Sequence, residues 1–241
     1  MVPLLCPARK NILFDLDGTL LPMDLEAFVK DYFGRLARKM APHGYEPKKL
    51  TDTIMNGIGA MVKNDGSCTN EEAFWKTAVA MNGEKIVRDK PLFDDFYEND
   101  FDAVKSSCGF APEASRIVRS LKARGLRVVL ATNPIFPARA TKWRIQWTGL
   151  EYEDFELVTA YENSRHCKPN PDYYRDILQE LDLRAEECVM VGNDVQEDMI
   201  ARTLGMKVFL LTPCMINRNG EDISAYPHGG FKELSDFLEN I

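Results

Sequence analysis

The stretch Asp15-Leu16-Asp17-Gly18-Thr19 sets two carboxylates one residue apart, followed by a glycine whose missing side chain lets backbone amides approach a ligand. Carboxylate oxygens at that spacing suit a hard cation, and open amides suit a phosphate. A calcium loop is the competing reading, because Glu26 stands at the twelfth position counted from Asp15. It fails at the sixth position, which is Leu20 rather than glycine, and because a strand pattern rather than a helix precedes the loop. Thr132-Asn133-Pro134 offers a hydroxyl and free amides to an anionic oxygen, although an ordinary capped turn uses the same residues. In Lys168-Pro169-Asn170-Pro171-Asp172, Pro169 biases Lys168 to extended backbone and so sets the direction of its stem, while Pro171 suits the first turn of a helix. Gly192-Asn193-Asp194 is followed by Asp198 one helical turn on, and like charges so placed need a cation or a lysine between them. Asp194 and Glu197 also form an N-terminal capping pair, and the two readings are compatible.

All four clusters fall where apolar, β-branched runs end. Residues 12–17, 127–133, 157–161, 188–194 and 208–212 read as strands buried on both faces. Helical patterns lie between them at 112–124, 137–149, 171–181 and 197–204. Strand and helix in alternation predict a doubly wound α/β fold with a parallel sheet, right-handed crossovers and ligands beyond the carboxyl ends of the strands. The four clusters then surround one crevice. From residue 24 to 108 the alternation stops, leaving only helical segments at 25–40, 48–62, 70–81 and 91–106 with turns at 64–67 and 82–83. A strandless run of about eighty residues is too long for a loop and reads as an inserted helical domain.

The chain has 241 residues, 45% hydrophobic and 28% charged, and a net charge of −7, which describes a globular protein with a sizeable core. The acidic balance argues against generic nucleic-acid or anionic-membrane binding, yet leaves room for an anionic substrate held through a local cation. The six cysteines stand singly with no C-x-x-C pair, so neither a disulfide framework nor a zinc site is expected, and His43, His166 and His228 are equally dispersed. The opening MVPLLCPARK places its positive charges after its apolar residues, the reverse of a secretory signal, and no run has the length of a membrane span. A cytoplasmic protein is the expectation.

The motifs FDLDGTL (residues 14–20), the ATN threonine Thr132, the CKPNP lysine Lys168 and GNDVQED (residues 192–198) occur in the order seen in the haloacid dehalogenase superfamily, which the sequence resembles over its whole length. The resemblance implies a Rossmann-like α/β core of residues 1–21 and 109–241. An all-helical type-one cap, residues 22–108, would sit between the first two motifs, with hinges near 21–24 and 107–111. It implies that Asp15 is the nucleophile of an aspartyl-phosphate mechanism and that Asp17 is the general acid and base. Mg²⁺ would be held by Asp15, the carbonyl of Asp17 and Asp194. Lys168, Thr132, Asn133 and Gly18 would bind phosphate, and Asp198 and Asn193 would orient the metal and phosphate ligands. The reaction implied is Mg²⁺-dependent hydrolysis of a small phosphomonoester. A sugar-phosphate mutase using the same phosphoaspartate chemistry is the alternative, and a phosphate-binding scaffold is the non-enzymatic one. Carbon–halogen cleavage is disfavoured, because a halide needs no proton and dehalogenases lack an aspartate at the position of Asp17. A phosphonatase would draw a Schiff-base lysine from the cap, where nothing singles out Lys30, Lys39, Lys48, Lys49, Lys63 or Lys76. The implied partner is a small phosphorylated metabolite, with no nucleic acid or membrane, in a monomer or small homo-oligomer.

Overall fold

The computed structural model describes residues 10–241, so the expectations that concern MVPLLCPAR and Cys6 lie outside the described residues. Five strands, β1 (Asn11–Phe14), β2 (Arg127–Leu130), β3 (Cys188–Gly192), β4 (Lys207–Leu211) and β5 (His228–Gly229), form one parallel sheet in the order β2-β1-β3-β4-β5. Asn11 registers with Arg127 on one side and with Cys188 on the other, so β1 lies between the strands that carry the later motifs. Alternation along each strand divides the core into two layers. Ile12, Phe14, Val128, Leu130, Val191 and Phe209 join one apolar cluster with α6 (Pro112–Ala123), α7 (Ala138–Trp147) and α9 (Phe231–Glu239). Leu13, Val129, Met190 and Val208 face the other, against α8 (Pro171–Glu180) and the 3₁₀ turns Met199–Leu204. The doubly wound architecture expected from the strand–helix alternation is the one observed.

The inserted helices are α1 (Leu25–Met40), α2 (Pro47–Val62), α3 (Asn70–Asn82), α4 (Lys85–Arg88) and α5 (Lys90–Asp95). The first three follow their patterns and their caps: Asp24 accepts from the Ala27 amide, Glu46 from Lys48 and Lys49, and Thr69 with Glu72 closes a capping box. The two connections to the core run side by side, Met23 bridging antiparallel to Cys108 and the Gly109 amide donating to Pro22 O at 2.7 Å.

Four expectations need correction. The helix expected over 91–106 breaks after α5 into a π-helical turn, Phe96–Asp100, and 3₁₀ turns, Phe101–Ser107. Phe96 and Phe101 are both buried and stand five residues apart, a spacing an α-helix turns to different faces and an i→i+5 turn aligns. The run 157–161 makes only one bridge, Val158 to Leu130, at the outer edge of β2, where it has a single neighbour. The pattern at 197–204 is 3₁₀ rather than α. Finally, β5 and α9 were not anticipated. A two-residue strand has no apolar run to read, whereas the i, i+3, i+7 stripe of Phe231, Leu234 and Leu238 is legible. No helix among the described residues is long and apolar enough to cross a membrane.

Candidate active site

The loop after β1 is closed by its own backbone: the Gly18 amide donates to Leu21 O at 2.7 Å and the Leu21 amide to Leu16 O at 2.8 Å. Gly18 has φ +84°, and a Cβ there would stand 2.2 Å from Asn193 Nδ2, so a side chain is excluded both by backbone strain and by contact with the neighbouring strand end. At Gly192 a Cβ would meet Asp198 Oδ2 at 2.1 Å, and this absence of a side chain lets Asp198 fold back under the site.

Lys168 is the centre of the arrangement. Its stem, 1% exposed, crosses beneath the strand ends and its Nζ donates to Asp15 Oδ1 at 3.0 Å and to Asp198 Oδ1 at 2.6 Å. Burial opposes its charge, but the two carboxylates hold it protonated, well above the ordinary lysine range. Thr19 Oγ1 lies 3.0 Å from Asp15 Oδ2 and 2.9 Å from Asn193 Oδ1, so its single hydroxyl proton is shared between two acceptors and the second oxygen of Asp15 is also within reach of a donor. Asn133 accepts from the Lys168 amide at 3.2 Å and donates to Glu197 at 3.0 Å, tying the loop after β2 to the lysine loop. Asp198 also accepts from the Asp194 amide at 2.9 Å, and burial raises its carboxyl above the usual range against the pull of Lys168.

The helix-capping pair expected of Asp194 and Glu197 is not formed: Asp194 Oδ1 accepts from the amides of Gln196 and Glu197 at 3.0 Å in a turn, the Asp194 amide goes to Asp198 instead, and the 3₁₀ stretch starts only at Met199, while Asp194 Oδ2 is met by Arg218 at 2.5 Å. Asp17 is reached from an unexpected direction: Arg144 of α7, completely buried, ion-pairs with its Oδ2. Burial raises the Asp17 carboxyl, and Arg144 opposes that rise. Asp15, Asp17, Gly18, Thr132, Asn133, Asn193, Asp194 and Asp198 all line one cavity of about 250 Å³, closed on the helical side by Met23 and Leu25. Lys168 lies beneath it. Thus eight of the candidate site residues line one crevice at the carboxyl ends of β1, β2 and β3, and Lys168 is joined to it through Asp15 and Asp198.

Sequence reasoning missed three residues. Thr19 was read only as part of the motif. Arg144 carried a signal, a charge on the buried stripe formed by Ala140, Arg144 and Trp147. Arg218 had none, since it reaches Asp194 only because Ile216 pairs with Asp194 in a local bridge. Of the cap aromatics, Phe28, Tyr32, Phe74 and Phe93 are buried in packing, and Trp147 stacks on Phe101 with centroids 5.5 Å apart. Cys167 is buried and its thiol is pushed up to about 12, which makes it a poor oxidant sensor.

The donor set suits a hard cation. Among the described residues no three His, Cys, Asp or Glu side chains form a ready cage, yet Mg²⁺ characteristically takes one or two carboxylates and completes its shell with water and phosphate oxygens. Asp15 and Asp194 supply such a pair at the cavity, and the buried Asp17 Oδ1 accepts no hydrogen bond from the described residues.

Comparison with known proteins identifies similar hydrolases. A curated relative, the phosphoglycolate phosphatase of Colwellia psychrerythraea, is 25% identical over 244 residues, covering 97% of both chains. The bifunctional riboflavin kinase/FMN phosphatase of Arabidopsis thaliana is 26% identical over 208 residues, or 82% of this chain, which spans about half (47%) of that protein's length. Among solved structures, a predicted phosphoglycolate phosphatase from Haemophilus somnus shares the fold with a TM-score of 0.59 at 16% identity, over 96% of this chain and 98% of that one. The family model of haloacid dehalogenase-like hydrolases matches residues 9–202, and the chain belongs to that hydrolase family.

Proposed function

We propose that this hydrolase is a phosphatase that cleaves a small phosphomonoester through an aspartyl-phosphate on Asp15, with core 1–21 and 109–241 and cap 22–108. The carrying observation is the buried Asp15–Lys168–Asp198 array with Asp17 two residues from the nucleophile. Asp15, held by Lys168 and within reach of Thr19, presents a carboxylate to phosphorus, and covalent catalysis divides one difficult displacement into two. Thr132 and Asn133 line the cavity and would bind phosphate oxygens through the hydroxyl and the amide, while Gly18, whose own amide is bonded to Leu21 O, would contribute the room its missing side chain leaves. Asp17 gives its proton to the departing alcohol and then takes one from the attacking water, a role served by the raised carboxyl that burial creates.

Asp15, Asp194 and the carbonyl of Asp17 would hold Mg²⁺, with Asp198 and Asn193 orienting them. When bound, the ion neutralises phosphate charge and permits a carboxylate to approach an anion. Substrate selection belongs to the helical side of the crevice. The relatives' names support a small phosphorylated metabolite as partner. No observation favours a nucleic acid or a membrane.

The test is phosphate release from a panel of sugar phosphates, nucleotides and phosphoglycolate, with and without Mg²⁺, together with acid trapping of phosphoenzyme. Mg²⁺-dependent release from at least one monoester is expected. Silence across the panel refutes the reading, and a bisphosphate requirement without net phosphate release replaces hydrolysis by a mutase.

A further inference from the structure

We propose that Arg144 is the positioning residue for Asp17, fixing the carboxyl group that protonates the leaving alcohol and so governing the cleavage of substrates whose leaving groups need a proton. The inference rests on the phosphatase reading.

A guanidinium with no exposed surface is costly in an apolar layer unless every face of it is used. Here each is. Nη1 ion-pairs with Asp17 Oδ2, Nη2 donates to Thr141 Oγ1 at 3.1 Å, Nε donates to the Ala140 carbonyl at 3.3 Å, and Cζ sits 4.5 Å from the Phe136 ring centroid. Those braces leave the planar fork with one direction to point. Among the described residues Asp17 is its only carboxylate partner, and Arg144 is the only side chain that bonds the Asp17 carboxylate. Asp17 follows the last residue of β1 by three positions and its side chain is 26% exposed at the cavity, so without this contact its carboxylate is free to rotate. Asp15 has other partners, Lys168 at one oxygen and Thr19 within reach of the second.

The brace also reaches the cap. Phe136 packs its ring against Phe28, Tyr32 and Phe101 with centroids 6.2, 5.5 and 6.3 Å away, so seating of the inserted helices bears on the support of Arg144. Arg144 makes and breaks no bond. In the first step an Asp15 oxygen bonds to phosphorus, the ester P–O bond breaks with its electron pair on the departing oxygen, and that oxygen takes the Asp17 proton. In the second, water adds to phosphorus, yields a proton to Asp17, and the P–O bond to Asp15 breaks. A nitrophenolate departs without a proton, so in the first step only the alkyl ester depends on where Asp17 stands, whereas the second step is the same for both.

The experiment compares glycerol 1-phosphate with p-nitrophenyl phosphate in wild type, Arg144→Met and Arg144→Lys. Arg144→Met is expected to lower kcat/KM, which reports the steps through cleavage of the ester bond, by about 100-fold on the alkyl ester, the scale of a misplaced catalytic group, and by less than about fivefold on the aryl ester. Arg144→Lys is expected to lie between them, with the same leaving-group bias. Adding Arg144→Met to Asp17→Asn should cost nothing further on the alkyl ester. Equal losses on both esters, or additive losses in the double variant, overturn the assignment. Should Arg144→Met fail to fold, the leaving-group bias of Arg144→Lys decides, and its absence overturns the proposal. A wild type inactive on every monoester refutes the phosphatase reading and this inference with it. An active wild type with uniform losses refutes only the role of Arg144.

Discussion

The floor of the crevice and the seat of the cap are both buried, yet they are made of opposite materials. The floor is ionic: Lys168 is locked between Asp15 and Asp198, with Asn193, Thr19 and Asn133 absorbing the remaining valences. The seat is aromatic: Phe28, Tyr32, Phe96, Tyr97, Phe101, Phe136 and Trp147 meet in edge-on and stacked pairs, with the Trp143 and Trp147 Nε1 groups bonded to the Tyr97 carbonyl and to Asp102. Ionic partners specify position through directional bonds and tolerate no substitution, because a lone buried charge is expensive. Ring packing supplies area and tolerates change of shape at modest cost. On the proposed function, chemistry sits where geometry is fixed, and selection of the leaving group sits where packing tolerates change.

The largest effect expected on this contrast is at the floor. Asp15→Asn should abolish both turnover and trapped phosphoenzyme, whereas the fold is retained by circular dichroism. Residual phosphoenzyme would move the nucleophile elsewhere. Asp17→Asn should slow alkyl-ester turnover by about 10²–10⁴ while leaving Mg²⁺ affinity in calorimetry unchanged. Equal, mild losses from both would contradict the division of roles.

At the seat, Phe101→Ala removes a fully buried ring and should lower stability by about 3–5 kcal/mol in denaturant unfolding. Turnover of p-nitrophenyl phosphate by the folded fraction should change far less than for Asp15→Asn. Comparable losses would merge the two regions into one functional unit.

The smallest effect is electrostatic. Burial holds the carboxyls of Asp17, Glu197 and Asp198 above their ordinary range, so over the window from that range up to their folded values the native state retains protons the unfolded chain has lost. Stability from these groups therefore falls as pH rises through the window. A cation at Asp15 and Asp194 offsets that negative charge, so Mg²⁺ should raise Tm more at pH 8 than at pH 5 by differential scanning fluorimetry. A rise equal at both, or larger at pH 5, would show that the acidic floor is not where the ion acts.

Legibility in the sequence divided along the same line. The floor was readable because its residues lie at the ends of apolar runs, and strand ends in a parallel sheet share one edge. Asp15, Thr132 and Asp194 needed only that rule, whereas Lys168 stands in a loop seven residues past a run that forms a single bridge and was legible through the motif order. Arg144 was hidden by its neighbours, since Trp143, Ile145 and Trp147 suggest packing, and only the wheel places the arginine on the buried stripe. Arg218 depends on a loop pairing that no periodicity announces. In the cap, α1 to α3 were readable from caps and turns. The π turn was not, because it answers to the tertiary need to align Phe96 with Phe101 rather than to local propensity.

The paired linkers have a bearing on how the chain finds its fold. Asn11 must meet Arg127 across the entire insertion, a closure that would ordinarily be slow for a sheet so dependent on distant partners. Because Pro22 and Gly109 are hydrogen-bonded neighbours, helices that associate locally have already brought the two ends of that excursion together. The remaining loop between β1 and β2 is then short, and its entropic cost correspondingly small. The insertion thereby acts as a clasp that shortens the search for the central strand pairing.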